Sequence, residues 1–234
     1  MPLFSFLMRV VTLNLRSGLS LSDPGDLTPL IELLSSLSAD VICLQEVDRF
    51  LPRSHFRNQM ALISKALGMR GRFFPSIPLS PMSFGLAILS RFPLMRHTSF
   101  FLPFSGEPRV LAKAVVLYEG KPCTLFNTHL GLNPDERLRQ TRRIAQIVSR
   151  EKSPFLLCGD FNEIVSEPTM ISLLDNSDLN EVRDPTYAPT FPAFDPKVRI
   201  DLMFCSSDLI FSSAFVSPVV VSDHFAFVAD LEMK

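Results

Sequence analysis

The sequence predicts an α/β fold in which two β-sheets, mostly antiparallel or mixed, pack face to face and are covered on the outside by helices. Three observations predict it. Strand-like runs such as Asp40 to Val47 and Pro154 to Cys158 are apolar almost throughout, as strands buried on both faces are. Segments of helical period fall between strand runs rather than at one end of the chain. Of the 234 residues 47% are hydrophobic, with 21 phenylalanines and no tryptophan, which argues for a substantial core rather than a disordered chain. Sandwich and α/β folds of this length commonly form one domain, and no linker, repeat or low-complexity stretch interrupts the chain, so residues 1–234 read as a single domain.

The elements follow in order. Residues 6–15, FLMRVVTLNL, read as a strand and Asp40 to Val47 as a second, with an amphipathic helix from about Asp26 to Ser38 between them. Residues 57–67 read as the next helix. From Arg72 to Phe126 come short strand-like runs, FFPSI, LAILS, MRHTSFFL, RVLAKAVVLY and PCTLFNT, with Glu119-Gly120-Lys121 as a hairpin turn. Asn133-Pro134-Asp135-Glu136 is a helix start, with Asn133 as N-cap and proline at the first helical position. Leu138, Thr141, Ala145 and Val148 then carry the helix to about Arg150. A strand from Pro154 to Cys158, a short helix from Glu167 to Leu174, a proline-rich loop from Pro185 to Lys197, and the strands VRIDLMFC and FAFVADLEM complete the chain.

Charge narrows the function. Lysine plus arginine number 23 against 24 acidic residues, a net charge of -1, so no global field favours a polyanion. Cys43, Cys123, Cys158 and Cys205 lie in or beside apolar strand runs without C-x-x-C spacing, as buried reduced thiols do. The apolar start, MPLFSFLM, lacks a basic n-region and is far shorter than the ~20 residues of a membrane helix. These features point to a soluble cytoplasmic protein, expected as a monomer with no integral membrane segment. Peripheral lipid contact through the apolar start stays open.

The segment Pro154 to Glu163, PFLLCGDFNE, carries the most information. An apolar strand stops at Gly159, and Asp160 and Asn162 follow two apart, where side chains of an extended chain point the same way. Taken alone, this is equally an Asx turn. Polar residues interrupt or end other apolar runs in the same manner: Asn14 in TLNLR, Glu46 in CLQEV, His129 in FNTHLG, Asp201 in RIDLMF, and Asp223 and His224 in SDHFAF. If these ends share one edge of the sheets, they form a site of carboxylates and amides without cysteine or clustered histidine ligands. Such a site prefers Mg2+, Mn2+ or Ca2+ over zinc.

In the order and approximate spacing of TLNLR, LQEVD, LAILSRFP, NTHLG, GDFN, RID and SDH, from Met8 to Leu231, the chain resembles the endonuclease/exonuclease/phosphatase superfamily. EVDRFLPRS, LPFSGEPR and NTHLGLNPDERLRQ resemble its bacterial metal-dependent hydrolase branch, which shares features with sphingomyelinase-like phosphodiesterases. The resemblance implies a four-layer αββα sandwich with the site at the top of the two sheets. It implies that Glu46 is the principal Mg2+ or Mn2+ ligand, with Asn14 beside it and Asp223 acting directly or through water. Asp160 would orient or activate the attacking water or protonate the leaving group, and Asn162 would hold water or a phosphate oxygen. Asp201 would hydrogen-bond His224, and His129 would contact the phosphate. His224 could be a base or an imidazolium clamp, and the sequence leaves both open.

The chain departs from its relatives at two places: Leu86 stands where many carry asparagine, and Arg16 where many carry histidine. Arg16 is read as a solvated strand-end residue. Arg109 is either near the site mouth or paired with a surface carboxylate. Arg139, Arg142 and Arg143 are read as a solvated helix face, His55 and His97 as loop or strand-surface residues, and Ser99 to Phe104 as core packing. The expected activity is a metal-dependent phosphoesterase acting on a small or lipid-linked phosphoester. A nuclease of the same fold is the alternative, since nucleic acid is not favoured by the charge, and a non-catalytic binding module ranks last.

Overall fold

The computed structural model describes residues 7–77 and 81–234; the apolar start before residue 7 lies outside the described residues. The chain opens with β1 (Met8–Asn14), α1 (Thr28–Ser36), β2 (Val41–Arg49), α2 (Gln59–Leu67), β3 (Arg70–Pro75) and β4 (Ser83–Ser90). It continues with β5 (Leu94–Phe101), β6 (Val110–Tyr118), β7 (Lys121–His129), α3 (Pro134–Val148), β8 (Phe155–Asp160), α4 (Pro168–Asp175), β9 (Leu179–Val182) and β10 (Asp201–Ser206). Two last strands, β11 (Leu209–Val216) and β12 (Phe227–Met233), return to the first sheet. The sheets each have six strands, in the orders β11-β12-β1-β2-β4-β3 and β5-β6-β7-β8-β10-β9.

Each sheet contains one parallel pair, β1 with β2 and β7 with β8, and the other pairings are antiparallel. A parallel pair needs a crossover, and α1 and α3 supply the two. The consequence for function is direct. Three central strands end at Asn14, His129 and Asp160, where loops follow, and Glu46 stands beside them inside β2, at a break in its pairing with β4.

Three apolar layers hold the fold. One lies between the sheets and joins Val10, Cys43 and Ile88 of the first to Ala112, Leu125 and Met203 of the second. The second packs Val11, Leu13 and Leu44 under Leu30, Leu34 and Ile63 of α1 and α2. The third packs Phe126, Leu157 and Phe204 under Ile144, Val148 and Met170 of α3 and α4. Strands buried on both faces explain why β2 and β8 read as unbroken apolar runs, and the αββα arrangement implied by the sequence is the one observed. All four cysteines are buried and free, and no helix among the described residues is long and apolar enough to cross a membrane.

The helix read from Asp26 begins at Thr28, because the Asp26 carboxylate accepts from the Thr28 amide at 2.9 Å and turns the chain before the helix. That read from residue 57 begins at Gln59, with Asn58 as its N-cap accepting from the Ala61 amide. In α3, Asn133 accepts from the Glu136 amide at 3.1 Å, as the sequence predicts. The turn at Glu119-Gly120 joins Tyr118 to Lys121 with both residues at positive φ. Core packing accounts for only part of Ser99 to Phe104: Leu102 is buried, whereas Phe101 and Phe104 are exposed where the edge strand β5 ends.

Candidate active site

All eight residues singled out from the sequence come to one end of the sandwich. Asn14, Glu46, His129, Asp160, Asn162, Asp223 and His224 line a cavity of about 670 Å3. Asp201 stands behind it at the start of β10, in register with Asp160. The first sheet brings Asn14 and Glu46, and Asp223 and His224 from the loop before β12. The second brings His129, Asp160, Asn162 and Asp201. The site is therefore shared between the sheets.

Local backbone chemistry aims these side chains. Glu46 sits where the β2–β4 register shifts, between Leu44 and Val47, and has φ of 52°. A bulge of this kind rotates one residue out of strand alternation. Asn162, also at positive φ, gives its amide to Asp160 Oδ1 at 2.9 Å, and its side-chain Nδ2 donates to the Leu130 carbonyl. The Asx turn that competed with the site reading is thus present within the site. At Gly159 a Cβ would run into the Thr128 backbone, so what approaches this glycine is the neighbouring strand rather than a ligand.

Asp160 Oδ2 is the hub. It accepts from Asn14 Nδ2 at 2.9 Å and lies 3.4 Å from His129 Nε2 and 3.6 Å from His224 Nε2. Asn14 Nδ2 also donates to Glu46 Oε1 at 3.1 Å. His129 Nδ1 is 2.9 Å from Arg109 Nη1, and a guanidinium only donates, so Nδ1 accepts and the neutral ring carries its proton on Nε2. Burial pushes His129 down to about 3, helped by Arg109 and His224 and opposed by Asp160, so this neighbour of Asp160 is uncharged near neutrality. His224 is the opposite case. Burial would lower it, but the charge and hydrogen bond of Asp201, 2.8 Å from Nδ1, together with Asp160 and Asp223, push it up to about 10.

The donor set suits a hard divalent cation. Burial raises the Glu46 carboxyl, Asn14 acts in the opposite direction, and Asp160 and Asp223 raise it further. Negative charge is therefore crowded around Glu46, with carboxylate oxygens and no thiolate, which fits Mg2+ or Mn2+, while Asn14 turns its Nδ2 to this group and its Oδ1 accepts from the Arg16 amide. Asp160, Asp201 and His224 also have ligand atoms within 4.8 Å of one another. In that trio His224 Nδ1 is already engaged by Asp201, so we read it as a hydrogen-bonded chain rather than the cation's seat.

Other residues complete the cavity: Leu51, Pro52, Arg53, Phe84, Glu107, Arg109, Leu132 and Phe191. Arg109 satisfies both of its alternatives, since it pairs with Glu107 at 2.9 Å and faces the cavity beside His129. Arg16 is half exposed yet not merely solvated, because its Nε lies 3.3 Å from Asp223. Leu86 belongs to the apolar layer between the sheets. Arg53 is fixed by two hydrogen bonds to the buried Asp48. Its segment was part of the family resemblance, but nothing in its spacing marked it as cavity-lining. Phe191, whose ring centroid is 4.7 Å from that of His224, had no sequence signal within its proline-rich loop.

The Escherichia coli (strain K12) protein YbhP is 24% identical over 221 residues, covering 86% of this chain and 85% of YbhP. Among solved structures, the human nocturnin catalytic domain with bound sulfate has a TM-score of 0.76 at 22% identity, covering 97% of this chain and 94% of that one. A mannosyl-6-phosphatase of Bacteroides thetaiotaomicron VPI-5482 has a TM-score of 0.78 at 17% identity, covering 96% and 99%. At these identities the solved structures speak for the fold alone. The sequence match covers residues 11–224, and by it the chain belongs to the Endonuclease/Exonuclease/phosphatase family.

Proposed function

We propose that this protein is a divalent-metal-dependent phosphoesterase that hydrolyses a small or lipid-linked phosphoester by attack of an activated water. The observation that carries this is the surroundings of Asp160, a buried carboxylate facing the cavity between His129, His224 and the Asn14–Glu46 pair. Phosphoesters resist attack because their anionic oxygens repel a nucleophile. Glu46, with Asn14 beside it and Asp223, would hold Mg2+ or Mn2+, which supplies positive charge against the phosphoryl oxygens. Asp160 orients the water and takes its proton. Asn162 holds a water or phosphate oxygen, the Nε2–H of His129 donates to the phosphate, and His224 clamps a phosphoryl oxygen while Asp201, bonded to its Nδ1, holds the ring's orientation and favours its charge. Family membership supports this reading, as do the sulfate bound to the human nocturnin catalytic domain and the phosphatase named for the Bacteroides structure.

Purified protein with Mn2+ or Mg2+ should hydrolyse bis-p-nitrophenyl phosphate, and EDTA should abolish the reaction. Absence of metal-dependent turnover on every phosphoester tried refutes the proposal. A panel of sphingomyelin, inositol phosphates, sugar phosphates, RNA and plasmid DNA separates small or lipid-linked esters from nucleic acid. The nuclease alternative predicts steep loss of activity with salt.

A further inference from the structure

Within the largely apolar layer between the two sheets, two amides meet beneath the site. Gln45 Nε2 of β2 donates to Asn127 Oδ1 of β7 at 2.7 Å and to Thr12 Oγ1 of β1 at 3.0 Å. Asn127 Nδ2 donates back across the sandwich to the Leu44 and Ala87 carbonyls, at 3.0 and 3.1 Å. Gln45, Asn127 and Thr12 are all fully buried. Leu44 and Ala87 are the pair at which the β2–β4 register breaks.

This placement matters because of what the bulge does. Cys43 faces the other sheet and Leu44 faces the helices. Simple alternation would put Glu46 on the helix side with Leu44. The bulge turns it toward the cavity instead, and Val47 then resumes on the helix side. Each carbonyl of the bulge has a donor from outside the β2–β4 ladder. Leu44 O is served by Asn127, Gln45 O by the Leu15 amide at 3.0 Å, and Glu46 O by Ser17 Oγ at 3.3 Å. Only the first of these donors comes from the opposite sheet, and Asn127 lies two residues before His129. Stability does not account for the bond between the two amides. The Gln45–Asn127 bond gains little over apolar groups of the same shape, and Gln45 Oε1 has no partner among the described residues.

We infer that Gln45 and Asn127 are positioning residues: their amide pair couples the bulge that aims Glu46 on one sheet to the strand end that carries His129 on the other. The pair sets the spacing of the two halves of the site. This rests on the phosphoesterase reading, in which Glu46 holds the cation and Asp160 and His129 face the phosphate.

The double variant Q45M/N127L tests it, because it removes the amide pair while side chains of similar volume keep the layer filled, and the core variant below matches its loss of stability. We expect a lowered urea midpoint, because the Leu44 and Ala87 carbonyls lose the Asn127 donors. We also expect about a tenfold weaker Mn2+ dissociation constant, measured by electron paramagnetic resonance of free Mn2+, and kcat lowered by about 10- to 100-fold with KM little changed. The core variant Val116→Ala, remote from the bulge, should lower the midpoint yet keep Mn2+ affinity and kcat. Should the double variant not fold, the single variant Q45M, which keeps the Asn127 donors, should show the same loss to a smaller degree. A folded variant with wild-type Mn2+ affinity and kcat overturns the inference alone. A wild type that neither binds Mn2+ nor hydrolyses any phosphoester overturns the phosphoesterase reading and the inference with it.

Discussion

At the level of single residues, Asp160 does two separable things, and one substitution divides them. Its Oδ1 accepts from the Asn162 amide and holds the turn, while its Oδ2 faces Asn14, His129 and His224. Asp160→Asn keeps an acceptor at the turn and removes the charge. The variant should therefore melt close to the wild type while kcat falls by ~10² or more, the scale of losing an acid-base or electrostatic group. Steady-state rates alongside a thermal melt check this, and full activity in Asp160→Asn would sink the proposed chemistry at its centre. Residues of this kind were legible because each interrupts an apolar strand with a polar group. What was not legible is how Glu46 comes to face them, because the bulge that rotates it depends on donors from β7 and from Ser17, far away in sequence. The same holds for Arg53, whose fixed position comes from the buried carboxylate of Asp48.

At the level of elements, α3 shows which local signals survive folding. The Asn133 cap and the apolar spacing predicted it almost to its ends. Asn133→Ala should cost about 1 kcal/mol, read from the urea midpoint, because the Glu136 amide loses its acceptor. The arginines of the helix divide by face. Arg139, Arg142 and Arg143 are exposed as read, but Arg137 is buried and bonds both oxygens of Glu163, and its Nη1 also reaches the Gly131 and Leu132 carbonyls. Arg137→Met leaves the Glu163 carboxylate buried without its partner and should cost about 3–5 kcal/mol. The double change Arg137→Met with Glu163→Leu should recover most of that loss in a denaturant titration. Two strands escaped the sequence reading for physical reasons. The register of β11 slips between Phe211 and Ser213, which breaks its alternation, and β9 is a four-residue edge strand, Leu179–Val182, with two polar residues. Both lie at the sheet edges, where burial on one side weakens the apolar pattern.

At the level of the whole molecule, the layered plan was legible because strands buried on both faces cannot alternate, and β2 and β8 do not. The closure of the first sheet was not. It depends on β12 returning from the end of the chain to pair with β1, and an ion pair spans that join: Arg9 Nε and Nη2 bond the two oxygens of Asp230 at 2.7 and 2.9 Å. The hydrogen bond from Arg9 is the largest influence holding the Asp230 carboxyl below its ordinary value, with burial opposing it and Ser213 assisting. On the second sheet's side, burial would raise Asp184. The hydrogen bonds of Thr186 and Ala188 and the charge of Arg199 outweigh it and hold the carboxyl low. A carboxylate depressed in the folded state binds its proton more readily in the unfolded chain. The stability it confers is therefore complete above the ordinary value of 3.8 and is lost as pH falls below that toward the folded value. Urea midpoints of the wild type should accordingly drop as the buffer is taken from pH 5 to pH 3. Asp230→Asn should start lower at pH 7, by about 1 kcal/mol or less because Arg9 is partly solvated, and should lose less over the acid range. Parallel acid profiles for the two proteins would show that the closing pair of the first sheet contributes nothing to this dependence.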